Sequence, residues 1–116
     1  MASPRRLEKL SNLLKEEIAR IIDREVEFPE DAIATITRVE VSPDVHYAAV
    51  FLSLLGIKPG DALAVLKKNI YSLQQILNRR VRMRPVPRIK FMIDEGEVKR
   101  EGVERSLAEL KQKGEV

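Results

Sequence analysis

Ile33-Ala34-Thr35-Ile36-Thr37-Arg38-Val39-Glu40-Val41, then Ser42-Pro43-Asp44-Val45, then His46-Tyr47-Ala48-Ala49-Val50-Phe51-Leu52-Ser53-Leu54: the fold turns on this stretch. Side chains alternate between the two faces of a strand. In the first run Ile33, Thr35, Thr37, Val39 and Val41 are expected on one face, with Ala34, Ile36, Arg38 and Glu40 on the other. In the second run Ala48, Val50, Leu52 and Leu54 face one way, and Tyr47, Ala49, Phe51 and Ser53 the other. Ser-Pro-Asp is turn chemistry. So short a connection implies an antiparallel pair.

Upstream, Leu7, Leu10, Leu14, Ile18, Ile21 and Ile22 recur at helical spacing, with Val26 near the end. Ser3 is a good cap and Pro4 suits the first turn. Phe28-Pro29-Glu30-Asp31 breaks this helix. Downstream of the strand pair, Gly56 to Gly60 reads as a loop and Asp61 as the cap of a second helix. Leu63, Leu66, Ile70, Leu73 and Leu77 mark its buried stripe; Lys67, Lys68, Tyr71, Gln75 and Asn78 lie off it. That helix is expected to end between Arg80 and Arg84, ahead of Pro85 and Pro87. Ile89, Phe91 and Ile93 alternate with Arg88, Lys90 and Met92 as a third strand. A weaker helical pattern follows at Val103, Leu107 and Leu110, and Lys111 to Val116 reads as a loose tail. The expectation is an α+β domain over residues 1–110 with a tail at 111–116. Its helices pack on one face of a three-stranded sheet.

The 116 residues suit one domain. With two Tyr, three Phe and no Trp, aliphatic side chains must fill the core. Without cysteine there is no disulfide, no thiol catalysis and no cysteine-bound zinc. This fits a cytoplasmic protein. No apolar run approaches the length of a membrane span, and the amino-terminal residues lack the apolar core of a secretory signal.

Net charge is only +3, but it is unevenly spread. Between Ala62 and Ile93 stand eight bases and no acid. Six of them, Arg79, Arg80, Arg82, Arg84, Arg88 and Lys90, fall within Asn78–Lys90. Five of the six are Arg, whose planar fork holds a phosphate through two parallel hydrogen bonds. A helix end attracts cations by its dipole, which accounts for Arg79 and Arg80 without any ligand. It does not account for the other four, and an RNA partner does. Lys67 and Lys68 are secondary candidates, since paired lysines on a helix are more often simply solvated. Arg5 and Arg6, set against the dipole of the first turn, are further secondary candidates.

Enzyme chemistry has little to stand on. His46 is the only histidine, which rules out a metal site built on two histidines. Gly56-Ile57-Lys58-Pro59-Gly60-Asp61 has the wrong spacing for a phosphate-binding P-loop. No nucleophile, base and orienting group stand together. The chain is therefore expected to be no enzyme, with no catalytic residue, metal, cofactor or small-molecule substrate. A protein-interaction module is the rival reading: Ile36, Tyr47, Phe51 and Met92 on the sheet face away from the helices would form its surface, against the favoured expectation that the C-terminal segment covers them.

The stretch Thr35 to Asp44, continuing through Tyr47-Ala48 to Val50, Ser53 and Gly56, resembles the bacterial ribosome-binding factor A family. Glu17-Ile18, Ile21-Ile22 and Glu25-Val26 match it as well. So do Leu77 through Arg80, Arg82 and Arg84, then Pro87, Phe91 and Asp94. The resemblance implies a type II KH fold, helix-strand-strand-helix-helix-strand. It implies a monomeric, non-catalytic assembly factor that binds the free small (30S) ribosomal subunit and assists late maturation and 5′-end processing of 16S rRNA. It also implies a link to cold adaptation. The chain departs from the family at Asn69-Ile70-Tyr71, where an Ala-x-Gly kink is usual, and at Phe28-Pro29-Glu30, where Asp-Pro-Arg is usual.

Overall fold

The computed structural model describes residues 3–95, so the helical pattern at Val103, Leu107 and Leu110 and the tail after it lie outside the described residues. The element order is α1 (Pro4–Glu25), β1 (Ile33–Val41), β2 (Tyr47–Leu55), α2 (Pro59–Arg80) and β3 (Arg88–Ile93). The strands form one sheet in the order β1-β2-β3. β1 and β2 pair antiparallel. β2 and β3 pair parallel, because α2 carries the chain back to the end where β2 began.

α1 begins as its residues dictate. The Ser3 hydroxyl accepts from the Arg6 amide at 3.3 Å and Pro4 occupies the first turn. α2 starts earlier than Asp61. Its cap is Lys58, which makes no side-chain capping bond; Pro59 takes the first turn and Asp61 lies inside it. There Asp61 acts on the dipole instead of capping an amide. α2 also runs unbroken for 22 residues, so the two helices expected from the resemblance are one. At the kink position the Asn69 amide donates to the Val65 carbonyl at 2.8 Å, and the helix passes through.

The core lies between both helices and one face of the sheet. Leu14, Ile18, Ile21 and Ile22 of α1 meet Leu66, Leu73 and Leu77 of α2 over Ala48, Val50 and Leu52 of β2. Each fully buried aliphatic side chain stabilises the fold by about 1.5–3 kcal/mol.

The strand phase expected for β1 holds only in part. Ile36 pairs with Leu52, but the next pair is Arg38 with Phe51. Thr37 is thus an extra residue, a β-bulge that resets the alternation. Ile36 and Val39, expected on opposite faces, both enter the core. The Thr37 hydroxyl donates to the Asp94 carboxylate at 2.5 Å, linking the bulge to the end of β3.

The helix-free face carries Ala49, Phe51 and Met92 as a second small cluster. The Arg38 guanidinium lies over the Phe51 ring, 4.1 Å from its centroid. Phe51 is 2% exposed and Tyr47 7%. Ile36 is in the main core and both aromatics are buried, so Ile36, Tyr47, Phe51 and Met92 form no open binding face; the C-terminal segment expected over them lies outside the described residues.

Between β1 and β2, the Ser42 hydroxyl donates to Asp44 at 2.6 Å and accepts from the Tyr47 amide at 3.1 Å. This turn forces Val45 to a φ of 64°, left-handed backbone that a β-branched residue resists. Such a conformation costs about 1–2 kcal/mol for an ordinary residue, while Asn adopts it readily. Val45→Asn is expected to raise stability by about 1 kcal/mol, read as a higher urea midpoint at unchanged slope. A lower midpoint would show that packing of the Val45 side chain outweighs the backbone cost.

Candidate nucleic-acid interface

The arginine-rich segment is shaped by what its apolar neighbours do. α2 ends where Val81 turns extended, its amide donating to the Leu77 carbonyl at 3.1 Å. Val81 and Pro87 are buried, and Met83 and Val86 pack against the core. With the apolar residues held inward, Arg82 and Arg84 project outward and are exposed. Arg79 and Arg80 are exposed on the last helical turn beside them.

Gln74 clamps the far end of the segment. Its side-chain amide donates to the Pro87 carbonyl at 3.0 Å and to Asn78 at 3.1 Å, and its oxygen accepts from the Ile89 amide at 3.0 Å. One half-buried side chain thus fixes residues 82–87 between α2 and β3. Sequence reading missed it, since a lone Gln on a helix carries no signal of its own.

The six primary candidates divide. Arg79, Arg80, Arg82 and Arg84 gather round the end of α2. Arg88 and Lys90 stand on the helix-free face, because Ile89 and Phe91, which alternate with them, turn into the core. Arg88 is the first residue of β3, at the same end of the sheet as the 82–87 segment. Lys90 is a pair further along, beside Ala49, whose other neighbour is Glu40. Lys67 and Lys68 are exposed on α2, upstream of the cluster. Arg5 and Arg6 are exposed on the first turn of α1, about 16 Å along that helix from Glu17, and do not join it.

Glu17 matters because α1 packs on α2. It accepts from Arg80 Nε at 2.6 Å and pairs with Arg20 Nη1 at 3.3 Å. Arg20, Arg24 and Arg80, with Glu25, Ile21 and Ile76, line a shallow groove between the helices. Arg20 and Arg24 were not among the residues singled out from sequence. Their four-residue spacing puts them on one side of α1, but only the packing of the helices brings them to Arg80. Three arginines against Glu17 and Glu25 leave the groove positive.

Arg80 is therefore partly neutralised within the protein. Its side chain remains 38% exposed, and a pair of that kind is worth only about 0–1 kcal/mol. An incoming phosphate can compete for it. The Arg84 guanidinium donates to the Val81 and Met83 carbonyls, at 3.3 and 2.7 Å, which hold the side chain without cancelling its charge. Arg79 and Arg82 have no ion pair among the described residues. Nor do the described residues contain a group of His, Cys, Asp or Glu suited to a metal ion, or a helix long and apolar enough to cross a membrane.

Residues 6–107 match the model of a protein family described as ribosome-binding factor A. A ribosome-binding factor A of Natranaerobius thermophilus is 42% identical over 92 residues, covering 78% of this chain and 70% of that protein. One from Prochlorococcus marinus is 40% identical over 103 residues, covering 85% and 84%. The crystal structure of ribosome-binding factor A from Thermus thermophilus superposes with a TM-score of 0.67 at 30% identity, over 75% of this chain and 93% of that one. A homology model of the Thermus thermophilus factor, fitted into a cryo-electron microscopy map of its complex with the 30S subunit, superposes with a TM-score of 0.64 at 32% identity, over 72% and 90%. The two Thermus thermophilus structures share this α+β, KH-like arrangement, and every one of these relatives is described as a ribosome-binding factor. Fold and sequence agree, and the chain belongs to the ribosome-binding factor A family.

Proposed function

We propose that this chain binds the free small ribosomal subunit in the cytoplasm, as a monomer, and contacts its 16S rRNA through Arg79, Arg80, Arg82 and Arg84. Arg88 carries the contact round to the edge of the sheet, and Arg20 and Arg24 extend it onto α1. Lys90, Lys67 and Lys68 widen the positive surface. Residues 1–110 act as one domain in this reading, with 111–116 a tail. The bound factor assists late maturation and 5′-end processing of the rRNA without catalysing a step itself.

The observation that carries this reading is the gathering of exposed arginines at the end of α2, of which only Arg80 is held by a carboxylate among the described residues. Clustered guanidinium groups repel one another in the free protein. RNA phosphates relieve that repulsion and release counterions as they bind. Phosphate contacts supply affinity and orientation, while the shape of the α1–α2 surface selects where on the subunit the protein sits. The complex described for the Thermus thermophilus relative supports the choice of subunit.

Sedimentation of the purified protein with free small subunits and with assembled ribosomes, across a salt series, tests the proposal. The expected result is co-sedimentation with free small subunits that falls steeply as salt rises, and little with assembled ribosomes. Binding indifferent to salt, or equal on both particles, would exclude a phosphate-led mechanism on the free subunit.

A further inference from the structure

Tyr71 is the feature of α2 that neither the core nor the arginine cluster explains. Its side chain is 67% exposed. Tyr47, Phe51 and Phe91 are buried and Phe28 is half-buried, so Tyr71 is the one exposed Tyr or Phe among the described residues. It is not the end of a buried stripe, since Leu66, Leu73 and Leu77 define the face that α2 turns inward.

The neighbours of Tyr71 on the helix surface stand three and four residues away. They are Lys67 and Lys68 on one side and Gln74 and Gln75 on the other, none of them apolar. Arg79 is a further turn beyond Gln75. Lys67, Lys68, Gln75 and Arg79 are all exposed, and α2 carries no acid after Asp61. A continuous helix thus lines up cations, an aromatic ring, an amide and another cation along one outer surface. At 1.5 Å per residue, the lysines lie about 5–6 Å and Arg79 about 12 Å from the ring along the axis. A straight helix is required for this alignment, and α2 is unbroken through Asn69 and Ile70.

We propose that Tyr71 stacks on an unpaired base of RNA, with Lys67 and Lys68 holding phosphates on one side of that nucleotide and Arg79 on the other. This rests on the RNA-binding reading above and deepens it: the strand crossing α2 is single-stranded there. A protein partner would match a Tyr ring with apolar surroundings, and this ring has cations and amides instead. Duplex RNA keeps its base faces stacked internally, whereas an unpaired base offers a face to an aromatic side chain.

The full-length protein, Tyr71→Ala and Tyr71→Phe are compared for binding to a short unstructured oligoadenylate, to an RNA duplex of the same length and to free small subunits. The chain has two Tyr and no Trp, and Tyr47 is buried, so quenching of tyrosine fluorescence reports directly on Tyr71. The expected results are quenching by oligoadenylate and roughly tenfold weaker oligoadenylate binding by Tyr71→Ala. Tyr71→Phe keeps most of the affinity, the duplex is bound almost equally by all three proteins, and the salt slope is unchanged because no counterion is released by a ring. Wild-type affinity of Tyr71→Ala for oligoadenylate overturns the proposal, and the broader RNA reading survives if an arginine variant still loses binding. Equal losses in Tyr71→Phe and Tyr71→Ala overturn stacking in favour of a hydroxyl contact. Loss of subunit binding with oligoadenylate affinity intact gives Tyr71 to a protein partner and overturns it too. If the wild-type protein binds none of the three, both readings fall together.

Discussion

Replacing Arg79, Arg82 and Arg84 together by Ala is expected to weaken binding to free small subunits roughly a hundredfold at moderate salt, and to lower the slope of log affinity against log salt by about two to three. The three side chains project from a segment whose fixed points are Val81, Pro87 and the Gln74 clamp, none of which is touched. The fold should persist, seen as an unchanged urea midpoint to within about 0.5 kcal/mol. Arg80→Ala alone should cost less than loss of a free arginine, because Arg80 must leave Glu17 before it can serve a phosphate. Its removal also frees Glu17 to hold Arg20 alone. The measurement is co-sedimentation or filter binding across a salt series. Affinity lost with no change in slope would mean that these arginines touch something other than phosphate. Unchanged affinity would remove them from the site.

Gly56→Ala is expected to destabilise the domain by about 3 kcal/mol or more, among the larger effects a single methyl group can have. Gly56 follows β2 with a φ of +76°, backbone that costs an L-residue about 1–2 kcal/mol. Space is the second problem. A Cβ at this position would lie 2.2 Å from the Asp31 carbonyl oxygen and 3.0 Å from its carbon. Both are backbone atoms, so no side chain can rotate away. Relief requires the connection between α1 and β1 to move off the end of β2, opening the ladder at its Ile33–Leu55 pair. Urea denaturation at matched protein concentration measures the loss, with circular dichroism to confirm that the remaining sheet forms. A loss below about 1 kcal/mol would show that the α1–β1 connection yields easily and does not hold the sheet end closed.

How far the sequence could be read depended on how local each signal was. Caps and breaks act within a turn, so Ser3 and Pro4 marked the start of α1 and the prolines beyond Arg84 marked the limit of α2. Leu66, Leu73 and Leu77 repeat at helical spacing and are buried as expected. β1 failed at one residue. Thr37 alternates correctly with its neighbours in sequence, yet pairing with β2 leaves it out of register. Nothing in Thr35-Ile36-Thr37-Arg38-Val39 announces which residue a partner strand will skip. Cover over Tyr47 and Phe51 is expected from the sequence, but nothing local announces that the Arg38 guanidinium lies over the Phe51 ring.

The candidate site shows the same division. Like charges crowded within thirteen residues are visible to anyone counting, and the helix end they surround could be placed from the prolines. That Arg88 and Lys90 turn to a different face follows from strand alternation once Ile89 and Phe91 are assigned to the core. Arg20, Arg24 and Glu17 could not be found that way. They lie more than fifty residues from Arg80 in the chain and reach it only through the packing of α1 on α2.

The sequence by itself determined which segments are helices and strands, which faces are apolar, and where positive charge is concentrated, because periodicity, capping and charge count depend only on near neighbours. Only the tertiary structure decided the parallel partner of β2, the bulge at Thr37, the place of Arg38 over the Phe51 ring, and the pairing of Arg80 with Glu17. Each of these arises from contact between segments far apart in the chain, where sidedness and distance are set by packing and hydrogen-bond register and leave no local mark.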